Sequence, residues 1–304
     1  MTHQPLVIDT KMHGVDRLTA AFVVAGEQTA LVETGPKTSV DQVLTALDRA
    51  GVDRLDWIVV THIHLDHAGA AGTLSARWPD ARVAVHEVGA PHLVDPSKLW
   101  SSSARIYSDR MEELWGGIDP IPEERIRVLK DGDTIDLGGR SLTAFDTPGH
   151  AFHHHAYLDD LTGAMFTGDA LGVRLPDIGT LHPATPPPEF HLEKAIESIN
   201  RIREAEPSSL WFTHYGPHDE GPVTAGVAAT CLAAIEVLNQ WAEWVRLGRE
   251  QSSEMDDVVE VVRKEVETAV DGRLDQDAID RLEQTTSYHM NTWGYMRYFD
   301  KTES

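Results

Sequence analysis

The stretch Thr61-His62-Ile63-His64-Leu65-Asp66-His67 sets three histidines and an aspartate within six positions. Neutral imidazole is the commonest protein ligand for metals, and carboxylates add charge and can bridge two ions. Three further residues, His150, Asp169 and His214, each stand at or within a residue or two of a strand end or tight turn. A strand end is a rigid place from which side chains converge. The chain holds 16 histidines, most of them scattered, so a set gathered at several strand ends stands out. Five histidines and two aspartates suffice for two metal ions sharing one bridge. Two such ions roughly 3.5–4 Å apart activate water and clamp a substrate oxygen.

The elements that must hold these residues alternate between strand and helix. Leu6 to Ile8, Thr19 to Ala25 and Thr29 to Glu33 read as strands, with a hairpin turn at Gly26-Glu27. Ser39 to Ala50 has helical apolar spacing and stops at Gly51. The β-branched run Trp57 to Val60 is a buried strand opening into a loop that carries the histidine cluster. A short helix over Gly69 to Trp78 and a strand over Arg82 to His86 follow. Residues 87–125 form an insertion. Within it Trp100, Ala104, Tyr107, Met111, Leu114 and Trp115 share one face of an expected amphipathic helix. Strands are expected at Ile126 to Leu129, Thr134 to Leu137, Ser141 to Asp146, around Ala156 to Leu158, at Ala164 to Thr167 and at Leu210 to Thr213. Residues 172–188 are proline-rich and read as an ordered loop, and Glu189 to Glu204 reads as a helix. After Gly221-Pro222 the pattern becomes helical: Thr224 to Glu250, 254–270 and 274–285. An aromatic tail, Tyr288 to Phe299, is expected to pack back on the body.

Composition bounds the partners. With 304 residues, 41% hydrophobic and 25% charged, the chain can bury a sizeable core in one large domain or two smaller ones. Asp and Glu number 49 against 26 Lys and Arg, only seven of them lysine, for a net charge of −23. That field repels phosphate backbones and argues against nucleic acid. Excess acid with scarce lysine also suits a salt-rich cytosol. No run of about 18 apolar residues occurs, so no membrane span is expected. The first residues carry neither a basic stretch nor a long apolar core, so no signal peptide is expected. The single cysteine, Cys231, excludes an internal disulfide and fits a reducing cytoplasm.

Thr61-His62-x-His64-x-Asp66-His67, then Gly149-His150, Gly168-Asp169 and Thr213-His214, resemble in order, neighbours and spacing the metallo-β-lactamase superfamily. The resemblance covers about residues 6–220. It implies an α/β fold, a four-layer αββα sandwich with the site along one edge of its two sheets. Residues 1–222 would form the catalytic domain and 223–304 a C-terminal helical region. It further implies His62, His64 and His150 on one metal, Asp66, His67 and His214 on the other, and Asp169 as the bridge. A bridging aspartate is typical of the glyoxalase II, lactonase and tRNase Z branches, and the net charge disfavours the last. His64 stands where the flavodiiron branch carries Glu. Residues 223–304 show no basic cluster of the kind glyoxalase II uses for glutathione.

The activity implied is that of a dinuclear metal-dependent hydrolase acting on a small ester, thioester or lactone. Two divalent ions are expected, zinc by default, with iron or manganese also compatible with mixed N/O ligands. Asp66 would ligate and also orient the nucleophile or move its proton. The alternatives are a phosphodiesterase and a mononuclear-iron oxidoreductase resembling the persulfide dioxygenases. Other residues carry two readings. Glu33 either holds a ligand histidine by its second nitrogen or is a turn carboxylate. His153, His154 and His155 are read as structural, with at least one facing outward. Tyr215 is read as packing, and His182, His191 and His289 fall outside the ligand set. Trp100 and Tyr107 line a pocket wall if the insertion covers the site.

Overall fold

Apolar strands flanked by amphipathic helices build the part of the chain that carries the histidine cluster. The computed structural model describes residues 3–175, 180–219, 225–270 and 274–303. It divides into two compact units, Met1–Asp146 with His153–Thr167, and Thr147–Phe152 with Gly168–Ser304. The change of pattern at Gly221-Pro222 lies outside the described residues.

In the first unit, β1 (Leu6–Asp9), β2 (Ala20–Ala25), β3 (Thr29–Val32), β4 (Trp57–Val59), β5 (Arg82–His86) and β6 (Ile126–Leu129) form one sheet in chain order. The first three strands are antiparallel and β3 to β6 are parallel. Parallel neighbours need crossovers. These are supplied by α1 (Val40–Arg49), by α2 (Leu65–Ala68) with α3 (Ala71–Arg77), and by α4 (Ala90–Val94), α5 (Ser97–Tyr107) and α6 (Met111–Trp115). Helix α1 ends as its sequence directs, with Arg49 in the last turn and Gly51 just beyond at φ 72°.

The sheet is buried on both faces. Ala21, Val23, Leu31, Ile58, Val83 and Val85 pack with Val43 and Leu47 of α1 and Leu74 of α3. On the other face Phe22 meets Phe166 at 5.2 Å between ring centroids. Phe166 belongs to an antiparallel meander of β7 (Thr134–Asp136), β8 (Ser141–Asp146), β9 (His155–Asp159) and β10 (Ala164–Gly168). The Arg140 guanidinium ties the two sheets, donating to both carboxylate oxygens of buried Asp159 and to the Ala25 carbonyl.

In the second unit, β11 (Val173–Arg174) pairs with β12 (Leu181–His182), and β13 (Ser209–Phe212) with β14 (Gly216–Pro217). Helix α7 (Leu192–Glu204) precedes β13. Then come α8 (Val227–Gln251), α9 (Met255–Val270), α10 (Gln276–Thr285) and α11 (Tyr288–Thr302). Cys231 is buried in α8, and burial pushes its thiol up to about 11, so it is inert core.

Four expectations change. The single helix over 100–115 is broken: Ser108 takes φ 50°, ends α5, and a 3-10 turn leads into α6. Its apolar stripe survives the break, because Met111, Leu114 and Trp115 pack with Met12, Leu18 and Leu65. The loop expected after β4 contains the helical turn α2, which carries Asp66 and His67. The described part of 172–188 includes the β11–β12 pair. The aromatic tail is itself helix α11, capped by the Ser287 hydroxyl, which accepts from Met290 N.

Candidate metal centre

The first unit holds four of the expected ligands where β4 ends. Thr61 N donates to Glu33 Oε1 at 3.1 Å, and the Thr61 hydroxyl meets His62 Nδ1 at 3.0 Å. His62 Nε2 then faces His64 Nδ1 at 3.0 Å. One turn on, Thr34 N donates to the His67 carbonyl at 2.9 Å and fixes the α2 backbone. His67 Nδ1 lies 3.1 Å from Glu33 Oε2, and its Nε2 lies 3.5 Å from Asp66 Oδ2. Glu33, His62 and His67 are fully buried. Glu33 holds His67, an expected ligand, by its outer nitrogen, while its other oxygen holds the backbone of the cluster.

The second unit holds the other three. Gly149 takes φ 138°, and a Cβ there would fall 2.4 Å from Ala195 backbone atoms, so the turn before His150 requires glycine. His150 Nδ1 donates to the Ala184 carbonyl at 2.9 Å. Its Nε2 lies 3.5 Å from Asp169 Oδ2, and His214 Nε2 lies 3.5 Å from Asp169 Oδ1. All three side chains are buried. The aspartate therefore presents one oxygen to each histidine, the arrangement a bridging carboxylate needs.

The loop bearing Ala184 is itself clamped. Asn291 of α11 accepts from Thr185 N at 2.9 Å and donates to the Pro183 carbonyl at 2.8 Å. Gly294 allows the close approach, since a Cβ there would fall 1.7 Å from the Thr185 carbonyl oxygen. Neither Ala184 nor Asn291 is found by sequence reasoning. A backbone carbonyl leaves no trace in residue type, and an asparagine amid aromatics reads as surface.

The donor set fits divalent ions. A metal takes the unprotonated nitrogen, so the proton must sit on the other one, held by an acceptor. His67 and His150 each have such an acceptor, a carboxylate and a carbonyl respectively. The metal-ready tautomer follows from these partners.

A second histidine–carboxylate group in the first unit has the opposite polarity. His86, Asp146 and His155 bring ligand-type atoms within 4.8 Å of one another. His155 Nε2 donates to Asp146 Oδ1 at 2.7 Å, and His86 Nε2 lies 3.6 Å from the same oxygen. However, Val88 N donates to His86 Nδ1 at 3.0 Å, which leaves the neutral ring's proton on Nε2, facing the carboxylate. Burial, with His86 nearby, holds His155 down at about 4, so it stays neutral despite Asp146.

The expectation that one of His153, His154 and His155 faces outward is overturned, because all three are buried. Only His155 lies in a strand; His153 and His154 sit in the preceding turn, where alternation does not apply. The His153 ring centroid is 5.4 Å from that of His64. His182 packs against Trp241 and Tyr288, and burial lowers its imidazole to about 4.

The model of the metallo-beta-lactamase superfamily matches residues 14–214. A metallo-beta-lactamase fold-containing protein of Sulfurisphaera tokodaii is 29% identical over 66% of this chain and 73% of its own. A solved structure of an archaeal superfamily member, from Sulfolobus tokodaii, superposes with a TM-score of 0.61 at 27% identity, covering 84% of this chain and 93% of that one. A hydroxyacylglutathione hydrolase of Aeromonas hydrophila is 30% identical over 46% of this chain and 41% of its own length. A coenzyme oxidase of Methanothermobacter marburgensis is 28% identical over 51% and 35%. The chain thus spans less than half of these last two relatives. The fold is the α/β sandwich expected from the sequence, followed by a C-terminal helical region.

Proposed function

Because this chain belongs to the metallo-β-lactamase superfamily, we propose that it is a dinuclear metal-dependent hydrolase of a small ester, thioester or lactone. Relatives in the family include both a hydrolase and an oxidase. The observation that supports two ions is Asp169, whose two oxygens each face a different histidine at 3.5 Å. A one-iron site would need only one of those oxygens as a ligand.

In this reading His62, His64 and His150 would hold one ion, Asp66, His67 and His214 the other, and Asp169 would serve both. Bound divalent ions supply Lewis acidity and bring the pKa of water toward about 7. The chain's own residues do the rest. Glu33 keeps the His67 proton on Nδ1 and fixes the ring. The Ala184 carbonyl does the same for His150. Asp66 would ligate through Oδ2, beside His67, and with its other oxygen orient the attacking water and take its proton, which then passes to the leaving group.

Glutathione thioesters are disfavoured as substrates. Four arginines of the C-terminal helices, Arg246, Arg249, Arg263 and Arg281, are each paired with a carboxylate. They offer no uncommitted basic cluster for an anionic peptide.

The test joins metal analysis to a panel of thioesters, lactones, phosphodiesters and β-lactams, run at low and high salt. About two metal equivalents per chain are expected. Asp169→Asn should lower turnover by about a hundredfold or more and release metal. Full activity in a metal-free preparation, or oxygen uptake with one iron per chain, would sink the reading.

A further inference from the structure

Strand β1 (Leu6–Asp9) is an edge: β2 pairs with one side of it, and no described strand lies on the other. Thr10 N donates to the Thr19 carbonyl at 3.0 Å, continuing the β1–β2 ladder. In an antiparallel ladder, alternate residues bond to the same neighbour. Ile8, opposite Ala21, therefore turns its N–H and C=O to β2, and Val7 and Asp9 turn theirs outward. Such a row of unpaired groups is a template for another strand. Little blunts this edge. It holds no proline, and its one charged side chain is committed to its own loop, since the Asp9 carboxylate accepts from Lys11 N and Arg17 N, each at 3.0 Å.

A groove of about 600 Å³ runs along this edge, between β1 and α1. Every residue of β1 lines it, so the strand is reachable along its length. Leu6, on the same face of the strand as Ile8, is 46% exposed there. The charged lining residues balance, Asp9 and Asp41 against Lys11 and Arg49. In a chain of net charge −23, the groove is locally neutral. Asp41 stands in the first turn of α1 and Arg49 in the last. Both are exposed, and neither has an ion-pair partner among the described residues.

We propose that β1 pairs with β1 of a second copy of this chain, antiparallel about a two-fold axis at Ile8. Val7 of each copy then opposes Asp9 of the other, and each such pair exchanges both backbone hydrogen bonds. The two six-stranded sheets become continuous. The same axis reverses α1, so Asp41 of each copy approaches Arg49 of the other. A two-fold contact requires a self-complementary patch of this kind. Leu6 leaves water for a place opposite Thr10 of the second copy. A second copy suits the groove better than a strongly basic or acidic partner, because the charges along it cancel. The contact also bears on the candidate centre: β1 leads into Met12, which packs with Leu65, the residue before Asp66.

The full-length chain is followed by sedimentation equilibrium over about a hundredfold range of concentration, across which a dimer obeys mass action. The dimer Kd should rise about tenfold in Asp41→Arg and about tenfold in Arg49→Asp, although the two change the net charge in opposite directions. The double variant, Asp41→Arg with Arg49→Asp, restores the pair and should return Kd to near the parent value. Hydrogen exchange read residue by residue should be slow at Val7 and Asp9 in concentrated protein and fast on dilution, with Ile8 slow in both. A chain that stays monomeric overturns the proposal. So does a dimer indifferent to the single reversals or not restored by the double, and so does exchange at Val7 and Asp9 that ignores concentration. A monomer whose Val7 and Asp9 amides are slowed by an added peptide of alternating threonine and valine would give the edge to a foreign strand and overturn it too.

Discussion

The candidate metal centre and the His86–Asp146–His155 cluster are made of the same residue types, and their hydrogen bonds run in opposite directions. At the centre, the outer nitrogens of His67 and His150 give protons to Glu33 and to the Ala184 carbonyl. Their inner nitrogens are left as lone pairs. At the other cluster, the outer nitrogen of His86 receives a proton from Val88 N, and the inner nitrogens point protons at Asp146. One arrangement turns lone pairs inward, as metal ligation requires, and the other turns hydrogens inward. Counting histidines and carboxylates does not separate them, whereas the partner of the outer nitrogen does.

Breaking the outer contact at the centre should give the largest effect. Glu33→Leu deletes the acceptor for His67 Nδ1 and for Thr61 N, and metal affinity should fall about 10–100-fold in competition with a chromophoric chelator. Glu33→Gln, which keeps an acceptor, should fall less. Equal affinity in Glu33→Leu and the parent would remove the basis of the comparison.

Acid should act on the second cluster. His155 is held at about 4 in the folded protein, below the ordinary 6.5, because burial opposes its charge. Between those values the unfolded chain binds the extra proton and the folded one does not. The contribution of His155 is therefore complete above pH 6.5 and is lost as pH falls toward 4. Urea unfolding across this window should lose on the order of 2 kcal/mol more in the parent than in His155→Asn. A parallel pH profile in the two proteins would mean that His155 is already charged.

The smallest effect is expected from His86→Ala, in the cluster judged unable to take metal. Metal content per chain should be unchanged, read by elemental analysis after exhaustive dialysis. Loss of one equivalent in that variant would show that the direction of a backbone hydrogen bond is no guide to ligation here.

The candidate ligands are legible because their histidines and aspartates gather at strand ends, which follow from apolar runs such as Trp57 to Val60. The strands themselves were legible for the same reason. Less could be read where tertiary packing overrides local pattern. The stripe from Trp100 to Trp115 keeps helical spacing through a break, since Ser108 redirects the chain while both pieces still reach Met12 and Leu65. The aromatic density of Tyr288 to Phe299 masks a helix whose faces are covered by α8 and α9. Glu33 stayed ambiguous because only the spatial approach of His67, 34 positions later, distinguishes a support from a turn residue.

The clamp of Asn291 on Pro183 and Thr185 ties the orientation of His150 to a helix 106 residues beyond that loop. Ribosomes deliver the chain from its amino end, so the first four ligands leave the tunnel long before α11 does. Before α11 is made, the loop that bears the Ala184 carbonyl lacks the Asn291 contacts at Thr185 and Pro183. The proton position proposed for His150 is thus set by a part of the chain synthesised well after it.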